Sequence, residues 1–173
     1  MDNRYVKIFA SGSKAPLKAT PGHFATNHAH INYYLDMTTL KTRLSEAQEV
    51  AKHLAERFLF DKVVDTIVCL EGTQVIGAYL AEELTRAGVL STNAHKTIYV
   101  ITPEYNSNSQ MVFRENILPM VHGKNVVILT AVVTTGLSLN KSIEAIQYYG
   151  GKLQSAAAVF STLDELNGCP ITS

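Results

Sequence analysis

Asn125-Val-Val-Ile-Leu-Thr-Ala-Val-Val-Thr-Thr-Gly-Leu-Ser138 decides how this chain folds. Val126 to Leu129 is apolar without alternation, which predicts a strand buried on both faces, as in a parallel sheet. Thr134-Thr135-Gly136 then forms a loop, and Ser138 to Tyr149 reads as a helix. Leu139, Ile143 and Ile146 share one side of that helix, and Gly150-Gly151 stops it. Hydroxyls and free backbone N–H groups at a helix N-terminus form a cradle for an anion. Gly136 lets the backbone turn close to a phosphate. The same residues also fit ordinary helix capping, and from the pattern alone both readings are open.

Working outward, the strand–loop–helix unit recurs. Thr66-Ile-Val-Cys-Leu70 is a continuous apolar strand, Glu71-Gly-Thr-Gln74 a loop, and Val75 to Ala87 a helix ending at Gly88. Thr97 to Thr102 and Ser155 to Phe160 complete the set of strands. Strand starts at 66, 97, 125 and 155 are separated by 31, 28 and 30 residues, near the repeat of a βαβ unit. Ahead of them, Ser45 and Gln48 form a capping-box pattern. Ala47, Val50, Ala51, Leu54, Ala55 and Phe58 then mark one helical face. The expected fold is α/β and doubly wound, with a mainly parallel sheet, helices on both faces and ligands at the carboxyl ends of the strands.

Residues 1–40 differ in character. Tyr5-Val-Lys-Ile-Phe9 alternates like a strand, Ser11-Gly-Ser-Lys14 and Pro21-Gly22 signal turns, and Ile31 to Leu35 has strand composition. They read as a small β-rich subregion of a single domain spanning 1–173. Pro103 to Lys124 fits the pattern least. It contains Asn106-Ser-Asn-Ser109 and Pro119, and a long irregular loop in a compact domain is usually functional or mobile.

The chain has 173 residues, 15 Lys+Arg and 15 Asp+Glu, for a formal net charge of +0. Neutrality argues against a dedicated nucleic-acid binder, which carries a basic excess, and leaves room for a local anion pocket. No apolar run approaches the roughly 20 residues needed to span a membrane. Two cysteines, Cys69 and Cys169, make no disulfide framework, and Cys69 reads as a buried thiol. With no signal peptide at the start, the expectation is a reducing cytoplasm. The chain ends soon after its last expected strand, which leaves room for a further C-terminal segment.

Isolated candidates are open to more than one reading. His28 and His30, two apart, would share a strand face and could ligate a metal, contact a base or phosphate, or form a surface pair. No third ligand stands near them. His23 is a pocket-mouth residue or a turn residue. Glu71 is an acid at a strand end that could hold Mg²⁺ through water or face solvent. Tyr105 and Tyr148-Tyr149 read as packing.

The chain resembles the type I phosphoribosyltransferases. Their phosphoribosyl pyrophosphate (PRPP) motif is four apolar residues, two acids, two apolar residues and Thr-Thr-Gly, then small residues. The strand, Val132-Val133, Thr134-Thr135-Gly136 and Ser138 match it. Pro21-Gly-His-Phe24 with Tyr33-Tyr34-Leu-Asp36 looks like the entry segment of the orotate branch. Glu71 to Gln74 stands where that branch has its pyrophosphate loop. The resemblance covers most of the chain and implies a type I phosphoribosyltransferase fold with an N-terminal hood at 1–40.

It also implies function: transfer of phosphoribose between PRPP and a pyrimidine-like base, with Mg²⁺, in a homodimer. Thr134, Thr135, Gly136, Leu137 and Ser138 would hold the 5′-phosphate. Glu71, Gly72, Thr73 and Gln74 would hold pyrophosphate. Thr130 and Ala131 would face the ribose, His23 and Phe24 the base, and Arg114 would carry the charge of a mobile loop. Three departures bear on turnover. Thr130-Ala131 replaces the acidic pair, Leu137 stands where glycine is frequent, and Asn116-Ile-Leu-Pro119 stands where a loop lysine is expected. A second function class follows from them: a PRPP- or nucleotide-binding sensor or regulatory module on the same fold, without useful turnover.

Overall fold

A computed structural model describes residues 5–25, 30–58, 62–86 and 92–173. Three antiparallel strands, β1 (Val6–Phe9), β2 (Pro16–Ala25) and β3 (His30–Asp36), form a sheet of order β1-β2-β3. Pro21-Gly22 is not a turn. It lies inside β2, where the register with β3 shifts between Pro21 and Phe24. Proline lacks a ladder donor and is tolerated at such an irregularity.

Two helices follow. The short α1 (Thr38–Thr42) starts where the Asp36 carboxylate accepts the Thr38 N–H at 2.9 Å. Hydrogen bonds from Thr38 hold that carboxyl below its ordinary range. Next comes α2 (Leu44–Phe58). Ser45 therefore lies inside the helix, and Arg43 rather than a Ser45–Gln48 box opens it: the Ala47 N–H reaches the Arg43 carbonyl at 2.9 Å.

The main sheet has six strands in the order β10-β11-β9-β8-β4-β5. They are β4 (Thr66–Cys69), β5 (Tyr99–Ile101), β8 (Asn125–Val133), β9 (Lys152–Ser161), β10 (Glu165–Leu166) and β11 (Cys169–Thr172). β5, β4, β8, β9 and β11 pair in parallel, and β10 pairs antiparallel with β11. Strands β10 and β11 extend the sheet past the last strand that periodicity identified. Between β5 and β8, Pro103 to Lys124 is more ordered than expected. It forms a hairpin of β6 (Glu104–Tyr105) and β7 (Met111–Val112), then a 3₁₀ turn at Leu118–Met120.

Helices cover both faces. Ile67, Cys69, Val127, Leu129 and Ala157 pack against Ala47, Ala51 and Leu54 of α2 and Ile76, Leu80 and Leu84 of α3 (Gln74–Thr85). On the other face Val68, Val126, Ile128, Ala156 and Ala158 pack against Leu139, Ile143 and Ile146 of α4 (Leu137–Tyr148). Gly88, the expected stop of α3, lies outside the described residues. A third cluster of Ala15, Met37, Leu40 and Ala131 joins the N-terminal sheet region to the end of β8.

Helix α3 approaches β4 closely because residue 77 has no side chain. A Cβ there would overlap the Cys69 sulfur and come within 3.2 Å of Val100 Cγ1. Burial pushes the Cys69 thiol up to about 12, so it stays a neutral apolar group. Gly77→Ala is expected to destabilise the chain by about 1–3 kcal/mol through overpacking. Urea denaturation measures this, and an unchanged midpoint would contradict the packing described.

Candidate functional site

The floor of the site is the turn between β8 and α4. Strand β8 ends at Val133, whose carbonyl accepts the Thr162 N–H at 3.0 Å. The Thr134 carbonyl accepts the Thr162 hydroxyl at 2.9 Å. Residue 162, just past β9, thus fixes the loop from behind. Gly136 is the N-cap of α4 with φ +76°, in the left-handed region where only glycine is unstrained. No side chain caps the helix. The first helical bond runs from the Asn140 N–H to the Gly136 carbonyl at 2.8 Å, so the N–H groups of Leu137, Ser138 and Leu139 lie outside the ladder. Thr134, Thr135, Leu137 and Ser138 are exposed. Gly136 itself is buried, with Leu163 and Leu166 behind it.

This turn opens into a cleft of 1320 Å³. One side is α4 along its length, with Lys141. Opposite are Glu71 and the hairpin residues Tyr105, Asn108, Ser109 and Gln110. The hairpin tip is held by Asn106, whose Oδ1 accepts the N–H groups of Asn108 at 2.9 Å and Gln110 at 3.0 Å. Tyr105 and Tyr148 are 56% and 84% exposed and line the cleft, so neither is the packing residue that the sequence suggested. Tyr149 does pack, edge-on to Phe113.

Glu71 is built differently from its neighbours. It has φ +54°, a left-handed conformation that costs an L-residue about 1–2 kcal/mol. The Lys41 ammonium donates to its carbonyl at 2.7 Å. Its Oε2 accepts the Thr130 hydroxyl at 3.0 Å and the Ala131 N–H at 3.3 Å. The loop between β4 and α3 therefore folds a carboxylate back over the end of β8. Thr73 is committed elsewhere. It is buried, and its hydroxyl donates to the carbonyls of Leu70 at 2.7 Å and Leu129 at 3.1 Å. Gly72 lies beside the Lys41 ammonium, and Gln74 is exposed.

Other expected site residues lie apart. Arg114 does not line the cleft; it pairs with Glu104 at 2.6 Å at the hairpin base. Ala131 faces away and belongs to the apolar cluster with Ala15, Met37 and Leu40. Successive strand residues point to opposite faces, so 130 and 131 cannot both look into the cleft. His23 and Phe24 sit on β2 outside the cleft lining. His23 stacks on His30, with ring nitrogens 3.0 Å apart, and Phe24 packs near Tyr34. His28 lies outside the described residues. Among the described residues no group of three His, Cys, Asp or Glu could hold a metal, and no helix is long and apolar enough to cross a membrane.

No family model and no curated protein matches the sequence. Solved structures do match. Leishmania donovani UMP synthase aligns at 17% identity and TM-score 0.60, over 83% of this chain and 33% of its own. The chain thus spans about a third of that protein. Orotate phosphoribosyltransferase from Aeropyrum pernix aligns at 19% identity and TM-score 0.59, over 88% of this chain and 84% of its own. Adenine phosphoribosyltransferase from Saccharomyces cerevisiae aligns at 18% and 0.59, over 91% and 92%. The chain has the type I phosphoribosyltransferase fold. At these identities the likeness is one of fold, and orotate and adenine enzymes share it equally.

Proposed function

We propose that this chain is a phosphoribosyltransferase-like protein that takes PRPP or a nucleoside monophosphate into the cleft, with a pyrimidine-like base as acceptor. The observation that supports this most is the uncapped N-terminus of α4 behind exposed Thr134 and Thr135, opening on the cleft. The three free N–H groups and the helix dipole favour a phosphate dianion there, with Lys141 as a further positive charge on the cleft wall. Pyrophosphate belongs at the β4–α3 loop, near Gly72 and Lys41. Mg²⁺ keeps several waters and takes one or two carboxylates plus substrate phosphates. Glu71 is an acid of the right kind to hold one through water, and an ion brought by PRPP fits this reading. A homodimer in the cytoplasm completes it.

Transfer breaks the bond from the anomeric carbon to pyrophosphate, forms one to a base nitrogen, and puts positive charge on the ribose ring. A well-placed charged group facing such a centre is typically worth about 3–4 kcal/mol. Here no acid side chain extends from 130 or 131, and the one arginine of the expected mobile loop is held by Glu104. Those two observations favour a second reading, a sensor that binds the same ligands without useful turnover.

Calorimetry with inorganic phosphate, PRPP and uridine monophosphate, beside turnover assays with PRPP, Mg²⁺ and a panel of bases, separates the readings. Phosphate-ligand binding with slow turnover of a pyrimidine supports the transferase. Binding without turnover supports the sensor. No binding of any phosphate ligand refutes both.

A further inference from the structure

We infer that Glu71 is the carboxylate that meets the ribose hydroxyls of a phosphoribosyl ligand anchored at residues 134–138. This rests on the phosphate site proposed above and adds the sugar contact to it. The argument starts from the backbone. Glu71 and Gly72 take consecutive positive φ angles, +54° and +78°. Glycine adopts such a conformation freely, whereas a glutamate there is strained, and strain of this kind persists where the surroundings fix it. Lys41 fixes it from one side and Thr130 with Ala131 from the other.

The result is an acid over the part of β8 that carries no acid of its own. Both bonds from β8 land on Oε2, which leaves Oε1 without a protein partner among the described residues and Glu71 on the cleft wall. Thr130 lies near the end of β8 and Thr134 just past it; four residues of extended chain reach at most roughly 13 Å. That span accommodates a pentose phosphate with a hydrogen bond of about 2.8 Å at either end. Glu144, the other acid on the cleft wall, accepts from Asn140 at 2.7 Å along α4. Tyr105 lines the cleft close enough to Glu71 to feel its charge: burial, then the Glu71 charge, push its phenol up. It therefore remains a donor beside the same pocket.

The test is isothermal calorimetry in EDTA, with inorganic phosphate, ribose 5-phosphate and 2,3-dideoxyribose 5-phosphate as probes. The native chain should bind ribose 5-phosphate about tenfold or more tightly than the dideoxy sugar, as expected for hydrogen bonds to a charged acceptor. Glu71→Gln keeps acceptors for Thr130 and Ala131. It should abolish most of that preference and leave phosphate affinity unchanged. Equal affinity of the native chain for the two sugars overturns the inference, and needs no variant to fold. So does a preference that survives Glu71→Gln. If inorganic phosphate itself fails to bind, the anion site falls and the sugar contact with it. Phosphate binding without sugar discrimination removes only the role of Glu71.

Discussion

Ala131→Asp should be the most damaging single substitution at the motif, lowering stability by about 3–5 kcal/mol, the scale of an uncompensated buried charge. Residue 131 is 4% exposed and packs with Ala15, Met37 and Leu40. None of these offers a cation or a donor side chain. For a chain of this size each kcal/mol moves the melting temperature by roughly 2–4 °C, so a fall of about 10 °C is expected. The pH dependence has a definite sign. Burial raises a carboxyl pKa, so the folded variant binds its proton more tightly than the unfolded chain. The destabilisation should therefore grow as pH rises above about 4, the unfolded aspartate range, and shrink as pH falls back toward it. Thermal melts across pH check this, and a variant as stable as its parent at neutral pH would show that the side chain at 131 reaches water. The same geometry makes it futile to rebuild an acidic pair here. Thr130→Asp would set a second carboxylate against Glu71 Oε2, which now accepts the Thr130 hydroxyl at 3.0 Å.

Strands β4 and β8, helix α4 and the turn between them were legible because their signals are local. Unbroken apolar runs mark strands buried on both sides, and Leu139, Ile143 and Ile146 repeat at helical spacing. The hairpin at 104–112 was hidden because its strands have two residues each, too short for alternation to register. The signal that was present lay in Asn106, whose side chain closes the turn on itself. Helix α1 has five residues and one buried side chain, Leu40, so it has no periodicity to read. Alternation alone could have told that 130 and 131 face opposite ways. Glu71 was visible as an acid at a strand end, but its direction was not. The bond to Thr130 spans 59 positions, and Lys41 lies in an element that the sequence does not show.

Gly136→Val should cost the phosphate site about one to two orders of magnitude in affinity, the scale of losing charge-assisted hydrogen bonds worth about 1.5–3 kcal/mol. Two effects act together. A β-branched residue at φ +76° is an outlier and would drive the peptide away from the conformation that presents the N–H groups of 137–139. Its side chain would also meet Leu166 at 3.0 and 3.1 Å and Leu163 at 3.3 Å. Those are the ends of flexible side chains and can give way, so the backbone carries most of the penalty, about 1–2 kcal/mol of stability. Gly123→Val separates strain from recognition. Gly123 has φ +71° and open space around its missing Cβ, and it lies near the opposite end of β8. It should lose similar stability and keep full affinity for inorganic phosphate and for uridine monophosphate. Calorimetry and melts on both variants give the answer. Unchanged phosphate affinity in Gly136→Val, or an equal loss in Gly123→Val, would mean that the turn before α4 is only a helix cap.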